Sequence, residues 1–283
     1  MSFKTILSAT AAAAVLALSA NAAMAVTFPD FTVDPNLVPG GSTFVADKIV
    51  GGYVEVIEFV GTPLNGTFNY ALRWEGGQFF KNNGSIGIAA GITRIGVDYN
   101  LYALATGSGT YTSPGFGSPT TFVTNAGGSI QFYYDGSVDT TFDNDSDPLT
   151  PGNSITNQAT LFARTNFADD LTLLASGSAV SGTGTLDPSL ATCSGGGINC
   201  GSFGQTSAIE LNADGKKFFI DPIPFYNVAF SSGQLNNFDV SNTQVVNGSL
   251  DVVFNRVPEP SALALVGLAL FGLGLASRRS TKA

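Results

Sequence analysis

Hydrophobic and polar residues alternate along several short segments of the chain, and a period of two is typical of β-strands with one buried face. The clearest example is residues 67–74 (TFNYALRW). One face of this predicted strand carries four large apolar side chains, those of Phe68, Tyr70, Leu72 and Trp74. Aromatic and β-branched residues predict further strands at residues 52–60, 129–135, 159–164, 217–220, 227–230 and 245–254.

Glycine and proline interrupt most other segments of the body and leave no room there for long helices. Residues 86–105 fit either two strands or a strand followed by a helical turn. Residues 107–119 and 176–204 are rich in Gly, Ser and Thr and predict long surface loops. The resulting prediction is an all-β fold, an antiparallel β-sandwich or jelly-roll-like body, with a hydrophobic helix at the C-terminus.

The chain begins with a pattern typical of a secretory signal peptide. Lys4 precedes an apolar stretch, and Ala23 and Ala25 form an A-x-A cleavage site. Residues 1–25 are therefore predicted to be removed on export, which leaves Val26 as the first residue of the mature protein.

At the other end of the chain, residues 257–283 form three consecutive blocks of different physical character. The first block is a tetrad made of Val257, Pro258, Glu259 and Pro260. Because proline lacks a backbone donor and biases the preceding residue towards extended conformations, the tetrad predicts an accessible linker.

The second and third blocks have the character of a short membrane anchor. Residues 261–277 carry no charge and are almost entirely apolar. At about 1.5 Å per residue, such a helix just spans a hydrocarbon core of about 30 Å. Arg278 and Arg279 follow it and predict a cytoplasmic C-terminus by the positive-inside rule. An ordinary tail anchor or a core helix would leave the preceding Pro-Glu-Pro tetrad without a reason.

This order of blocks resembles the PEP-CTERM sorting signal of Gram-negative bacteria. Proteins with that signal are processed by an exosortase, a membrane transpeptidase-like enzyme, and are delivered to the cell surface or the extracellular polysaccharide matrix. The resemblance implies export, a transient anchor in the inner membrane and an exosortase as partner. Residues 26–256 would then form the exported all-β domain.

Without the two ends of the chain, the net charge of this domain is more negative than that of the full chain. The chain has 12 basic and 21 acidic residues, of which four basic residues and one acidic residue lie in residues 1–25 and 257–283. The remaining 8 basic and 20 acidic residues give a net charge of −12. Such a surface repels nucleic acid and anionic lipid and suits divalent cations or solubility outside the cell. Nucleic acid is therefore not an expected partner.

A second resemblance covers the start of the mature chain. Residues 28–35 (FPDFTVDP), 44–49 (FVADKI) and 51–55 (GGYVE) look like the opening of the flocculation-associated PEP-CTERM proteins. The similarity continues loosely at Tyr102 and in residues 136–142. It implies a structural role, in which the protein binds cells into flocs together with exopolysaccharide, and it carries over no catalytic residues.

The two cysteines of the chain, Cys193 and Cys200, lie on either side of a glycine-rich segment. In an exported protein this spacing predicts a disulfide that closes a small ring. Zinc is the alternative. The chain has no histidine and no third cysteine, so carboxylates alone would have to complete the zinc shell, and the disulfide is favoured.

The aspartates Asp143, Asp145 and Asp147 have a spacing that lets a loop surround a hard cation. The segment is not an EF-hand, because Pro148 stands where that loop needs glycine and Ser154 stands where it needs glutamate. A Ca²⁺ site is therefore a hypothesis, set against a solvated acidic turn, which the sequence favours somewhat. No other cofactor is expected.

Enzymatic functions find little support in the composition. The chain has no histidine, so the commonest general base and the Ser-His-Asp arrangement are absent. Glycoside hydrolysis by paired carboxylates stays an alternative, with Glu55, Glu58, Glu75 and Glu210 available. Glu55 and Glu58 are poor partners, because residues three apart in a strand project to opposite faces.

A carbohydrate-binding module is the other alternative, with Trp74, Tyr133 or Tyr134 stacking on sugar rings. Alternation places Trp74 in the core, and the adjacent tyrosines must point to opposite faces. The sequence as a whole favours a non-enzymatic protein of the cell surface or extracellular matrix. Its predicted role is to promote flocculation or biofilm aggregation with exopolysaccharide or cell-surface glycans.

Overall fold

The computed structural model of the chain describes residues 28–37, 42–142, 156–165, 171–193, 199–236 and 238–255. The predicted signal peptide and sorting tail lie outside these residues. The described strands are β1 (Phe31–Val33), β2 (Phe44–Ala46), β3 (Lys48–Thr62), β4 (Asn65–Lys81), β5 (Ile86–Gly87), β6 (Asn100–Thr112), β7 (Thr120–Thr124), β8 (Gly127–Asp135), β9 (Thr141–Phe142), β10 (Arg164–Thr165), β11 (Leu171–Leu186), β12 (Gly201–Leu211), β13 (Phe219–Asp221), β14 (Asn227–Ser232) and β15 (Thr243–Asn255). The described helices are α1 (Ala90–Thr93), α2 (Gln158–Phe162) and α3 (Gly215–Phe218), with a 3₁₀ turn at Ala191–Cys193.

Eight of these strands form one antiparallel sheet that closes on itself. Their order around the ring is β4, β3, β15, β14, β12, β11, β8 and β6, and β6 pairs again with β4. β7 runs in line with β8 and takes its place between β6 and β11 towards one end. The predicted antiparallel all-β fold is confirmed. The sandwich or jelly-roll arrangement is not confirmed, because the pairings of β4 with β6 and of β8 with β11 join the strands into one barrel-like sheet.

Side chains that alternate inward fill the ring with apolar and aromatic groups. On β4 the inward residues are Phe68, Tyr70, Leu72 and Trp74, all buried, as the alternation predicts. Gly107 on the neighbouring strand β6 lies beneath the ring of Tyr70, and a Cβ atom at this glycine would lie 2.5 Å from the ring. Small residues on one strand thus make room for the aromatic rings of the next.

Different structural elements lie at the two ends of the closed sheet. At the end called here the plug end, a small sheet of order β13, β1, β2 contributes Phe31 and Phe219 to the core. The ring of Phe31 packs edge-on against that of Phe254, near the end of β15, with the centroids 4.8 Å apart. The opposite end, called here the disulfide end, carries the bond between Cys193 and Cys200, which lies between β11 and β12.

The two stretches predicted as surface loops are in large part strand. Residues 107–112 complete β6, and residues 176–186 and 201–204 belong to β11 and β12. The loop prediction is wrong there because glycine, serine and threonine were taken as turn residues. In the structure these small residues lie in the closed sheet, where they leave room for the aromatic side chains of neighbouring strands.

The prediction of a strand at residues 159–164 is also wrong, because most of this segment forms α2. The Asn157 side chain accepts a hydrogen bond from the Thr160 N–H at 3.0 Å, and the Thr160 hydroxyl accepts one from the Asn157 N–H at 3.1 Å. This capping box starts the helix. Leu161 then packs on the outer face of β3 and β4, against Val54 and Val56.

In the part of the chain that the structure describes, no helix has the length and apolar character needed to cross a membrane. The helix predicted at residues 261–277 falls outside that part.

Candidate functional site

An apolar cavity lies inside the closed sheet, towards the disulfide end. Its volume is about 70 Å³. Inward-facing side chains from opposite sides of the ring form its walls, among them Ile57, Leu72, Ala105, Phe203, Phe230 and Phe238. A closed sheet of about eight strands encloses an interior that side chains either fill or leave open for one small ligand. The cavity shows that this ring is not completely filled.

Glu55 is the acidic residue of the cavity wall. It lies on β3 between the inward-facing Tyr53 and Ile57. Among the described residues, its carboxyl group has no cation and no hydrogen-bond donor within bonding distance. Burial in these surroundings raises the pKa of the Glu55 carboxyl to about 8. The group is therefore uncharged in most molecules at neutral pH.

A short polar network lies beside this carboxyl. The Tyr70 hydroxyl donates a hydrogen bond of 2.6 Å to Gln205 Oε1, and Gln205 Nε2 donates to the Ser207 hydroxyl at 3.2 Å. Burial, and then the nearby Glu55 carboxyl, raise the pKa of Tyr70 to about 12. The same two causes, in the same order, raise the pKa of Tyr53. Both tyrosines are therefore neutral hydrogen-bonding groups at physiological pH.

The outer wall carries a second depression, a polar groove across β11, β12, β14 and β15. Its volume is about 760 Å³. Small residues and hydrogen-bonding side chains form it, among them Thr183, Thr185, Asn199, Ser202, Gln234 and Asp251. Asp251 pairs with Lys48 across 3.1 Å. This polar groove offers hydroxyl and amide groups on the outer surface.

The four glutamates considered for glycoside hydrolysis do not come together. Glu55 faces the interior, and Glu58 is exposed on the outer face, as alternation along β3 requires. Glu75 and Glu210 are exposed on other strands. Neither the cavity nor the polar groove contains two of these four residues.

The aromatic residues considered for sugar stacking are mostly inside. Trp74 is fully buried and its indole N–H donates to the Leu250 carbonyl at 3.3 Å. Tyr134 stacks on Tyr99 in the interior, with the ring centroids 5.1 Å apart. Tyr133 is half-buried on the outer wall, 5.7 Å from the Arg164 guanidinium. The described residues thus present no planar row of exposed aromatic rings.

The predicted disulfide is present, and it joins Cys193 to Cys200. Both cysteines are buried with Leu235, which also lines the cavity, and the Cys200 N–H donates to the Leu235 carbonyl at 2.9 Å. The loop that the disulfide closes therefore supports the cavity wall at the disulfide end. Zinc finds no support, since both sulfur atoms are used in the bond.

The predicted calcium ligands Asp143, Asp145 and Asp147 lie outside the described residues, and the calcium site stays a prediction. Within the described ranges, no group of three or more acidic or cysteine side chains is placed to hold a metal ion.

Residues 256–279 match the family model of the PEP-CTERM protein-sorting motif. The end of the chain therefore carries a PEP-CTERM sorting motif. No curated protein and no solved structure matches the chain.

The PEP-CTERM motif follows the folded body without a spacer, because β15 ends at Asn255 and the match begins at residue 256. The matched range contains the predicted Pro258, Glu259, Arg278 and Arg279. The motif indicates export, processing by an exosortase and sorting to the surface of a Gram-negative cell. The flocculation-associated family stays a prediction.

The interior cavity was missed by sequence reasoning. The one local signal was an acidic residue, Glu55, on the same face of its strand as Tyr53 and Ile57. That position indicates a buried carboxyl group, but the residues facing it come from β4, β12 and β14, whose neighbours only the ring closure decides.

Proposed function

We propose that this protein is a non-enzymatic component of the cell surface or extracellular matrix that promotes flocculation or biofilm aggregation together with exopolysaccharide. The observation that carries the proposal is the PEP-CTERM motif joined directly to a closed all-β body. An exosortase substrate of this form delivers a compact, acidic domain to the polysaccharide outside the cell.

The polar groove supports contact with exopolysaccharide. Its hydroxyl and amide groups can donate to and accept from sugar hydroxyls, and its small residues let a chain approach the sheet. Thr185 and Ser202 face each other across β11 and β12 in the groove and are both exposed. This pair is suited to test the contact.

A carbohydrate-binding module is the second candidate, and the same polar groove favours it. Binding would rest on hydrogen bonds rather than on stacking, because Trp74 is buried and Tyr134 faces the interior. Weak polar contacts repeated over many molecules suit an aggregating matrix through avidity. A hydrolase is not proposed, because the cavity has one carboxylate, Glu55, and the polar groove has one, Asp251, which is paired with Lys48.

The test compares cells that produce the full chain with cells that produce a chain lacking residues 257–283. We expect the shortened protein to be mislocalised and the cells to disperse, measured by immunoblotting of cell fractions and by sedimentation of flocs. Aggregation that persists while the shortened protein stays at the surface would contradict the sorting argument.

The groove is tested separately with Thr185→Val and Ser202→Val in the full chain. We expect normal surface delivery but weaker flocculation and weaker retention in gels that contain the cells' exopolysaccharide. Thr67→Val, on the exposed face of β4 away from the polar groove, is the matched control and should leave both unchanged. Equal loss in the control, or no loss in the double variant, would remove the groove from the proposal.

A further inference from the structure

The Glu55 carboxyl is an acid without a partner inside an apolar cavity. Burial of such a group without a hydrogen bond or a counter-charge costs free energy, so an acid retained in this position needs either a proton or a ligand. Its neighbours on the inner face, Tyr53 and Ile57, supply no positive charge. Space remains beside it, because the side chains do not fill the cavity of about 70 Å³.

We propose that this cavity is a binding site for a small aliphatic primary amine, whose ammonium group pairs with Glu55 and whose carbon chain lies against the apolar walls. Ile57, Leu72 and Phe230 supply apolar surface for a chain of a few carbon atoms. The site lies inside the body and does not involve the sorting signal, although it shares Thr183, Gly184, Phe203 and Gly204 with the polar groove on the other side of the sheet.

The lining distinguishes an amine from other occupants. An anion would meet a carboxyl group and no cation. Water fits the cavity by volume, but a buried water needs two to four polar partners. The Tyr70 hydroxyl and Gln205 already bond each other, and the remaining polar side chains of the lining are those of Thr124, Thr183 and Glu55, of which Glu55 alone can carry a charge. An ammonium group on a short apolar chain satisfies the carboxylate and the walls together.

Binding has a defined proton balance. The amine arrives as an ammonium ion, and Glu55 is protonated before it binds. When the ion pair forms, Glu55 gives up its proton to solvent, and the pair inside the cavity is neutral overall. Each amine bound near neutral pH therefore releases close to one proton.

Among the described residues around Glu55, no other group changes charge in this range. Tyr53 on β3 and Tyr70 on β4 both have a raised pKa and stay neutral. β12 contributes Gln205 and β14 contributes Phe230, neither of which titrates. The released proton is therefore specific to Glu55.

The test is isothermal titration of the full chain at pH 7 with n-butylamine, in phosphate and in Tris buffer. We expect saturable binding of one amine, and a difference between the two buffers that corresponds to release of close to one proton. Glu55→Gln should weaken binding at least tenfold and abolish proton release. Glu58→Gln, on the same strand but the opposite face, should bind as the parent does.

A second variant guards against a folding defect in Glu55→Gln. Ala105→Leu fills the cavity and keeps the carboxyl group, so it should also lose amine binding. The proposal is overturned if the parent shows no saturable binding, or if it binds without releasing a proton. It is equally overturned if Glu55→Gln binds the amine as well as the parent, or if 1-butanol binds as tightly as the amine.

Discussion

Glu55 and Gly107 show how single residues shape the interior of this molecule. Position 107 requires glycine, because the Tyr70 ring occupies the space that a side chain at this position would need. Glu55 is an acid on an otherwise apolar inner face, and it keeps its proton near neutral pH because the carboxylate would be desolvated there.

This retained proton predicts a pH dependence of stability. The ordinary pKa of 4.5 applies to the unfolded chain and a value of about 8 to the folded one. Between these values the folded state binds more protons, so the contribution of Glu55 to the free energy of unfolding falls as pH rises from about 4.5 to about 8 and then levels off. Glu55→Gln should remove this fall and be more stable than the parent at pH 9, measured by urea unfolding from pH 5 to 9.

Glu58→Gln is the control for this series, because it removes one glutamate from the exposed face of the same strand. It should keep the slope of the parent. Parallel slopes for the parent and Glu55→Gln would show that the carboxyl is solvated in the folded state.

At the scale of elements, local sequence patterns correctly predicted features of a single strand. They gave wrong predictions where the conformation of a segment depends on the strands beside it. The alternation in residues 67–74 correctly predicts the inward face of β4. The glycine-rich residues 176–186 read as a loop, although they form the long strand β11, because the sequence does not show which rings they face. In α2 the capping residues Asn157 and Thr160 indicate the start of a helix. The apolar residues that follow them favoured the wrong prediction of a strand.

The disulfide loop gives a prediction at this scale. Cys193 and Cys200 are separated by 7 positions, and closing so short a ring restricts the unfolded chain by about 2 to 3 kcal/mol. Replacing both with serine should lower the free energy of unfolding by about that amount, measured by urea unfolding. Reduction of the parent with dithiothreitol should lower it similarly. A double variant as stable as the oxidised parent would show that the loop is held by its packing on Leu235 alone.

At the scale of the whole molecule, the last strand is the one that completes the ring. β15 pairs with β14 on one side and with β3 on the other. Its end, Asn255, lies immediately before the sorting motif. The body therefore cannot close until the chain has been made and exported up to the signal, and β3 and β14 have exposed edges until then.

Two truncated chains test this dependence. A chain that ends at Arg256 should fold, with sharp near-ultraviolet circular dichroism and a single compact species in gel filtration. A chain that ends at Asn242 lacks β15 and should aggregate, because two long strand edges and the inward residues Val246, Leu250 and Val252 lose their partners. Compact folding of the shorter chain would refute a requirement for ring closure.

The sequence by itself determined the properties that depend on local order. These are the all-β character, the inward face of β4, the disulfide and the sorting motif at residues 256–279. Each is written in a run of neighbouring residues, as a period, a spacing or a block of one composition. The tertiary structure alone decided that the sheet closes, that glycine-rich segments belong to it, and that Glu55 faces an apolar cavity. These features depend on pairings between strands far apart in the chain, such as β3 with β15. Because the side chains of both strands must fit together, the sequence of one strand alone does not determine what its residues face.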